Sequence, residues 1–170
     1  MNQERIAVVG TGSWGTMLSV MLVRKGLPVT LQARTRQEAE ELLLRRENRR
    51  FLPGVVLPDE LAITHLLEEA IPPCSLLLLV VPAQSMRQNV RLVQPYLRSG
   101  TVIISAAKGL EVRSALRMSR LIEEELGSGF PLCALSGPNL VREIAAGLPA
   151  STVVASQDIK VAEYVQRILM

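Results

Sequence analysis

The stretch Ile6-Ala-Val-Val-Gly-Thr-Gly-Ser-Trp-Gly-Thr16 constrains this chain more than any other. A short apolar run ends at Gly10, and Gly12 and Gly15 complete a G-x-G-x-x-G pattern. A helix-like segment, Met17 to Lys25, follows directly. Each glycine has a mechanical role in such a pattern. The first permits the tight turn out of a strand, the second lets a pyrophosphate approach the backbone, and the third lets helix and strand pack closely. The helix then starts with unclaimed N–H groups and the positive end of its dipole aimed at the phosphates. A glycine-rich turn without a ligand is the plainer alternative. The strand before and the helix after are the context that a dinucleotide fingerprint requires.

With 170 residues the chain is the size of one domain and can bury a sizeable core. It is 48% hydrophobic but only 3% aromatic, so that core is aliphatic. Such a bias suits a parallel sheet, whose strands are apolar on both faces. The net charge of +3 fits a pocket for anionic ligands. With so few aromatic residues it gives no case for a nucleic-acid surface. Cys74 and Cys133 have no CxxC spacing, and both adjoin or sit in apolar runs, so two buried free thiols are expected. The N-terminal apolar stretch is too short for a signal peptide. Leu76 to Val81 is too short to span a bilayer. A soluble, cytoplasmic protein is expected.

Taken in order, strands are predicted at Arg5–Val9, Val29–Ala33, Leu61–Ile63, Ser75–Val81, Thr101–Ala106, Leu132–Leu135 and Ser151–Ala155. Helices are predicted at Ser13–Lys25, Gln37–Arg46, His65–Ala70 with Thr64 as a cap, Gln84–Leu97 and Ser114–Leu126. Two more follow, one after Asn139 and one capped by Asp158 that still runs at Met170. Asn48 to Pro58 reads as an irregular loop, and loops of that length in a compact domain are usually functional. His65, the only histidine, is assigned a structural or exposed role. The alternation predicts a single α/β domain, a doubly wound, mostly parallel sheet with helices on both faces of the Rossmann type.

Ligands of such sheets bind beyond the C-terminal strand ends. That rule gathers Gly10–Gly15, Arg34, Pro82, Lys108 and Gly137–Asn139 along one edge. The second strand ends in Gln32-Ala33-Arg34-Thr35-Arg36, with no carboxylate where an NAD site usually holds one for the ribose 2′-hydroxyl. An arginine there can pair with a 2′-phosphate. NADP(H) is therefore favoured, with Arg34 first and Arg36 second, and NAD(H) is retained; a solvated helix start is the plain alternative. Lys108, ahead of Gly109, can bind a substrate phosphate or carbonyl oxygen or stabilise developing charge, or it simply returns to solvent. Asn139 can cap the helix that follows or hydrogen-bond a substrate hydroxyl. That helix start is also expected to meet an anion. No group of residues has metal-ligand spacing.

Taken together, these motifs resemble the N-terminal domain of NAD(P)-dependent glycerol-3-phosphate dehydrogenases. Gly10 to Thr16 is similar to that family's G-x-G-S-W-G-T, and Asn48 to Pro58 to its N-x-x-F-L-P-G-x-x-L-P. Val81-Pro82 with Arg87 resembles V-P-S-x-x-x-R, Ser105 to Glu111 matches S-x-x-K-G-x-E, and Leu135 to Pro138 matches L-S-G-P. The resemblance runs in order along essentially the whole chain. It implies hydride transfer between dihydroxyacetone phosphate and sn-glycerol 3-phosphate in glycerophospholipid synthesis. It implies that Ser13, Trp14, Arg34 and Val141 line the coenzyme site, that Lys108 touches coenzyme and substrate, and that Gly137 and Asn139 touch substrate.

The chain departs from the family pattern at Asn139 (usually Ser or Thr), Val141 (usually Ala), Ala83 (usually Ser) and Thr35 (often a second Arg). By the resemblance, an all-helical C-terminal domain supplies the proton-donor lysine and most of the grip on the substrate phosphate. Residues 1–157 would then be the NAD(P)-binding domain, and 158–170 the start of the helix leading to that further domain. By itself the chain is expected to turn over substrate poorly or not at all, and the full-length protein to form a homodimer. Two other readings are a stand-alone dinucleotide-binding or redox-sensing module, and a dehydrogenase of 3-hydroxy acids or 6-phosphogluconate. The substrate-side motifs at Lys108 and Ser136–Asn139 count against the first, and the Phe51-Leu-Pro-Gly54 loop against the second.

Overall fold

The computed structural model describes residues 4–169. Met170, to which the sequence pattern extends the last helix, lies outside them. Seven strands form one sheet: β1 (Ile6–Val9), β2 (Val29–Gln32), β5 (Ala62–Thr64), β6 (Leu76–Leu79), β7 (Val102–Ser105), β8 (Leu132–Ser136) and β9 (Val153–Ser156), in the order β5-β2-β1-β6-β7-β8-β9. All neighbours are parallel except β8 and β9, which pair antiparallel. The chain builds outward from β1 through β2 to β5, then crosses back to lay β6 against the other side of β1. The strand order therefore reverses between β1 and β6, and that reversal opens a crevice above the sheet.

Both faces of the sheet are covered, as its strand composition requires. The β1 and β6 residues Ile6, Val8, Leu76 and Leu78 face one core; Ala7, Val9, Leu77 and Leu79 face the other. The first core is closed by α1 (Ser13–Arg24), α2 (Arg36–Arg45) and α7 (Ile159–Leu169), which contribute Leu18, Val20, Leu42 and Val165. The second is closed by α4 (Met86–Val93) and α5 (Met118–Leu126), through Met86, Val90, Leu121 and Ile122. Each fully buried aliphatic side chain contributes roughly 1.5–3 kcal/mol. The doubly wound architecture is the one expected.

Several local expectations need correction. Residues 48–58 are no irregular loop: β3 (Glu47–Asn48) and β4 (Leu52–Val56) pair antiparallel as a small hairpin. The predicted helix over Ser114–Leu126 starts only at Met118, because Ala115 adopts φ 56° and Leu110 bridges Arg117 in an antiparallel turn. The predicted Gln84–Leu97 helix is α-helical only over Met86–Val93 and tightens to 3₁₀ turns at both ends. Thr64 is not the cap of α3 (Leu67–Ala70); its hydroxyl accepts from the Leu66 N–H at 3.1 Å and donates to Glu69. His65 is half-buried, and its carbonyl accepts from Gln32 Nε2. Cys74 and Cys133 are buried free thiols, both raised in pKa by burial, Cys74 to about 11. Asp158 does cap α7, accepting from the Lys160 N–H at 2.9 Å.

Candidate functional site

The glycine loop joins β1 to α1 in a space that only glycine fits. Gly10 adopts φ 119°, and a Cβ there would collide with the carbonyl oxygen of Val80 at the end of β6. A Cβ on Gly15 would collide with the carbonyl oxygen of Gly10, so helix and strand are in backbone contact. Gly12 differs, since nothing lies within 4 Å of where its Cβ would stand. It is also the N-cap of α1, which has no side-chain cap and no acidic residue in its first turn. The loop thus offers an open face and a helix N-terminus without a competing carboxylate, which suits a pyrophosphate.

Two side chains hold this loop in place, and sequence reasoning assigned neither of them that role. Asn48, 5% exposed, donates from Nδ2 to the Thr11 carbonyl (2.7 Å) and to Thr16 Oγ1 (2.8 Å), while its Oδ1 accepts from the Phe51 N–H (3.2 Å). The β3–β4 hairpin therefore anchors the glycine loop and presents Phe51, half-exposed, beside it, with the Arg50 guanidinium 4.8 Å from the ring centre. Glu38, in the first turn of α2, accepts from Thr11 Oγ1 (2.5 Å) and from the Arg34 N–H (3.0 Å). Its own N–H is capped by Thr35 Oγ1 (3.2 Å). The spacing Thr35-x-x-Glu38 is a capping-box signature that would have found this residue.

The two candidate arginines separate. Arg36 pairs with Glu40 at 2.7 Å along the exposed face of α2. Arg34 is exposed beyond the end of β2, and its side chain makes no ion pair among the described residues.

The two loops that the resemblance assigns to substrate meet at the C-terminal ends of β7 and β8. Lys108 Nζ donates to the Gly137 carbonyl at 2.7 Å. Gly109 takes φ 108°, and Gly137 packs so closely on Ser151 that a Cβ would strike its carbonyl oxygen. Asn139 does not cap the next helix. α6 (Val141–Ala145) has Leu140 as its N-cap, and the Asn139 Oδ1 accepts from Thr152 Oγ1 at 2.9 Å. At five residues α6 is too short for the anion-binding helix start expected here. Trp14 and Val141 are partly buried against the core on the α1–α6 side. Trp14 and Asn139 line a cavity of about 540 Å³ with Leu18, Met21 and Leu148.

The Lys108 loop rests on an ionic scaffold. Arg87 donates to both Glu111 oxygens (2.9 and 2.8 Å) and also to Glu125, which accepts two further bonds from Arg91. Ser114 donates to Glu111 as well. Gln84 closes the loop from both sides, donating to the Leu110 carbonyl (2.8 Å) and accepting from the Val112 N–H (3.0 Å). The Arg87 guanidinium and the Ser114 hydroxyl hold the Glu111 carboxyl down to about 2, and the same carboxylates push Arg87 upward.

A family model described as NAD-dependent glycerol-3-phosphate dehydrogenase N-terminus matches residues 5–162. The chain belongs to this family. It is 43% identical over 169 residues to the glycerol-3-phosphate dehydrogenase [NAD(P)+] of Dehalococcoides mccartyi strain BAV1, covering 98% of this chain and 47% of that one. It is likewise 43% identical over 169 residues to the Moorella thermoacetica enzyme of the same name, covering 99% and 50%. The crystal structure of a glycerol-3-phosphate dehydrogenase from Coxiella burnetii superposes with a TM-score of 0.92 at 30% identity, over 99% of this chain and 51% of that one. The chain thus spans about half the length of the curated relatives it matches. Within this dehydrogenase N-terminal fold, the sequence-predicted site residues Gly10, Gly12, Arg34, Lys108, Gly137 and Asn139 lie in loops leaving C-terminal strand ends, while Ser13, Trp14 and Gly15 form the start of α1 and Val141 the start of α6.

Two outcomes follow from this geometry. Asn48→Ala leaves the Thr11 carbonyl and the Thr16 hydroxyl without their buried donor, and is expected to cost about 1–3 kcal/mol in urea unfolding. The carboxyl of Glu111 is lowered from 4.5 in the unfolded chain to about 2. Its stabilisation is therefore complete above the unfolded value and disappears as the pH falls through that window. Glu111→Gln should flatten the fall in the urea midpoint over that range; an unchanged slope would show that the pair does not control acid stability.

Proposed function

We propose that this chain is the coenzyme-binding half of an oxidoreductase that interconverts dihydroxyacetone phosphate and sn-glycerol 3-phosphate with NAD(P)H, supplying glycerophospholipid synthesis. The observation that carries the reading is the Lys108–Gly137 contact, which sets a cation on the same sheet edge as the glycine loop. Gly10, Gly12, Ser13 and Gly15 would hold the pyrophosphate, Arg34 the adenosine end, and Trp14 and Val141 the walls. When bound, the nicotinamide carries the hydride. Lys108, Gly137 and Asn139 would bind the phosphorylated substrate, with the Lys108 ammonium orienting its carbonyl oxygen and stabilising negative charge on it. The proton donor is assigned to the part of the relatives that extends beyond the matched half. Residues 1–157 are proposed as the NAD(P)-binding domain, and 158–170 as the start of the helix leading into that part. A homodimeric, cytoplasmic protein fits this reading. Among the described residues no helix is long and apolar enough to cross a membrane.

NADP(H) is the favoured coenzyme, NAD(H) the second, because Arg34 leaves its guanidinium available beyond β2 where a 2′-phosphate would lie. Separate equilibrium titrations test this. Arg34→Ala should weaken NADPH binding about tenfold and NADH binding less than about twofold; equal losses would remove the 2′-phosphate assignment. In the complete protein that carries this chain, Lys108→Met should lower kcat/KM for dihydroxyacetone phosphate by about 100-fold or more. Retention of full activity by that variant would overturn the role given to Lys108.

A further inference from the structure

Glu38 stands between the two parts of the coenzyme site that the sequence treats separately. Its carboxylate joins Thr11, inside the glycine loop, to the backbone N–H of Arg34, the candidate reader of the adenosine end. Those two bonds use one acceptor site on each oxygen, and an ionised carboxylate has about four. The corner between a glycine loop and the end of the second strand is where an acidic residue of a dinucleotide fold accepts the ribose 2′-hydroxyl. Here the strand end itself supplies no carboxylate, and Glu38 delivers one from the first turn of α2.

We propose that Glu38 is a specificity-determining residue of this site, whose carboxylate offsets Arg34 and makes the chain accept NADH alongside NADPH. The inference rests on the coenzyme reading above. A neutral ribose hydroxyl gains an acceptor from Glu38. A 2′-phosphate gains Arg34 and meets Glu38 as a like charge at short range. Arg36 is drawn away from the corner by Glu40, so the balance falls on Arg34 against Glu38. The same carboxylate braces the glycine loop, and the test must therefore separate charge from bracing.

The measurement is the ratio of the NADPH and NADH dissociation constants, read from quenching of Trp14, the only tryptophan of the sequence. Glu38→Gln keeps the shape and removes the charge. It should shift the ratio toward NADPH by about tenfold. Thr11→Val breaks the brace but keeps the charge, and should leave the ratio within about twofold. The double variant Arg34→Ala/Arg36→Ala, altered only at exposed side chains, leaves Glu38 unopposed and should prefer NADH by about fivefold. It provides an independent test if Glu38→Gln does not fold. A Glu38 that is only a brace predicts equal weakening of both coenzymes in Glu38→Gln and Thr11→Val, and no preference in the double variant. Either result overturns the proposal while leaving the coenzyme reading intact. Binding of neither coenzyme by the unaltered protein overturns both.

Discussion

The backbone contact between Gly15 and the Gly10 carbonyl is the constraint on which the rest of the site depends. It brings the start of α1 down onto the end of β1, and the positive φ of Gly10 carries the chain past Val80 at the neighbouring strand end. A side chain at either position would push α1 off the sheet. α1 in turn supplies Leu18, Val20 and Leu22 to the core on its face, so the loop geometry and the packing of that layer form one arrangement. The open face of Gly12 follows from the same geometry, since the two flanking glycines take up all of the close approach. Sequence spacing carries this feature well, because each glycine answers a separate steric demand.

The two ends of the site are braced by different physics. At the proposed coenzyme end the supports are short and local in space: an amide from Asn48 and a carboxylate from Glu38 hold the glycine loop. At the proposed substrate end the Lys108 loop is held through its own Glu111 by Arg87 of α4, which Glu125 of α5 also grips, and by Gln84 in the 3₁₀ turn before α4. Arg87 and Glu111 each carry one side of a bidentate pair, a geometry that lysine cannot reproduce. The two sequence motifs that contain them, Val81–Arg87 and Ser105–Glu111, are therefore one structural unit.

What was legible in the sequence divides along the range of the interactions. The strands of the central sheet and the first helix follow from local apolar runs and from glycine punctuation, and they lie within a residue or two of expectation. Residues 48–58 read as a loop because two prolines and a glycine mask a hairpin whose pairing is set by contact with Thr11 and Thr16. The start of α5 is not legible locally, because residues 110–117 form a turn beside the Arg87–Glu111 pair, which joins positions 24 residues apart. Arg34 stands out in the sequence because a strand end is a local signal. Glu38 is not legible from the strand end, because its carboxylate reaches back to Arg34 and Thr11 from the first turn of α2.

Glu38 also changes what the arginines at this corner mean. A cation in a ribose site selects a 2′-phosphate only in proportion to the net charge around it, because desolvation and repulsion act on the same group. Arg34 is exposed, so solvent screens its attraction for any anion, whereas Glu38 is held by two hydrogen bonds and half-buried. The held carboxylate acts at a defined distance, whereas solvent screens the exposed guanidinium. A corner that combines an exposed cation with a held anion is expected to discriminate less than the count of arginines suggests. In the proposed reading, the held carboxylate of Glu38 weighs on coenzyme choice beside Arg34, and the first turn of α2, together with the strand end, builds this corner.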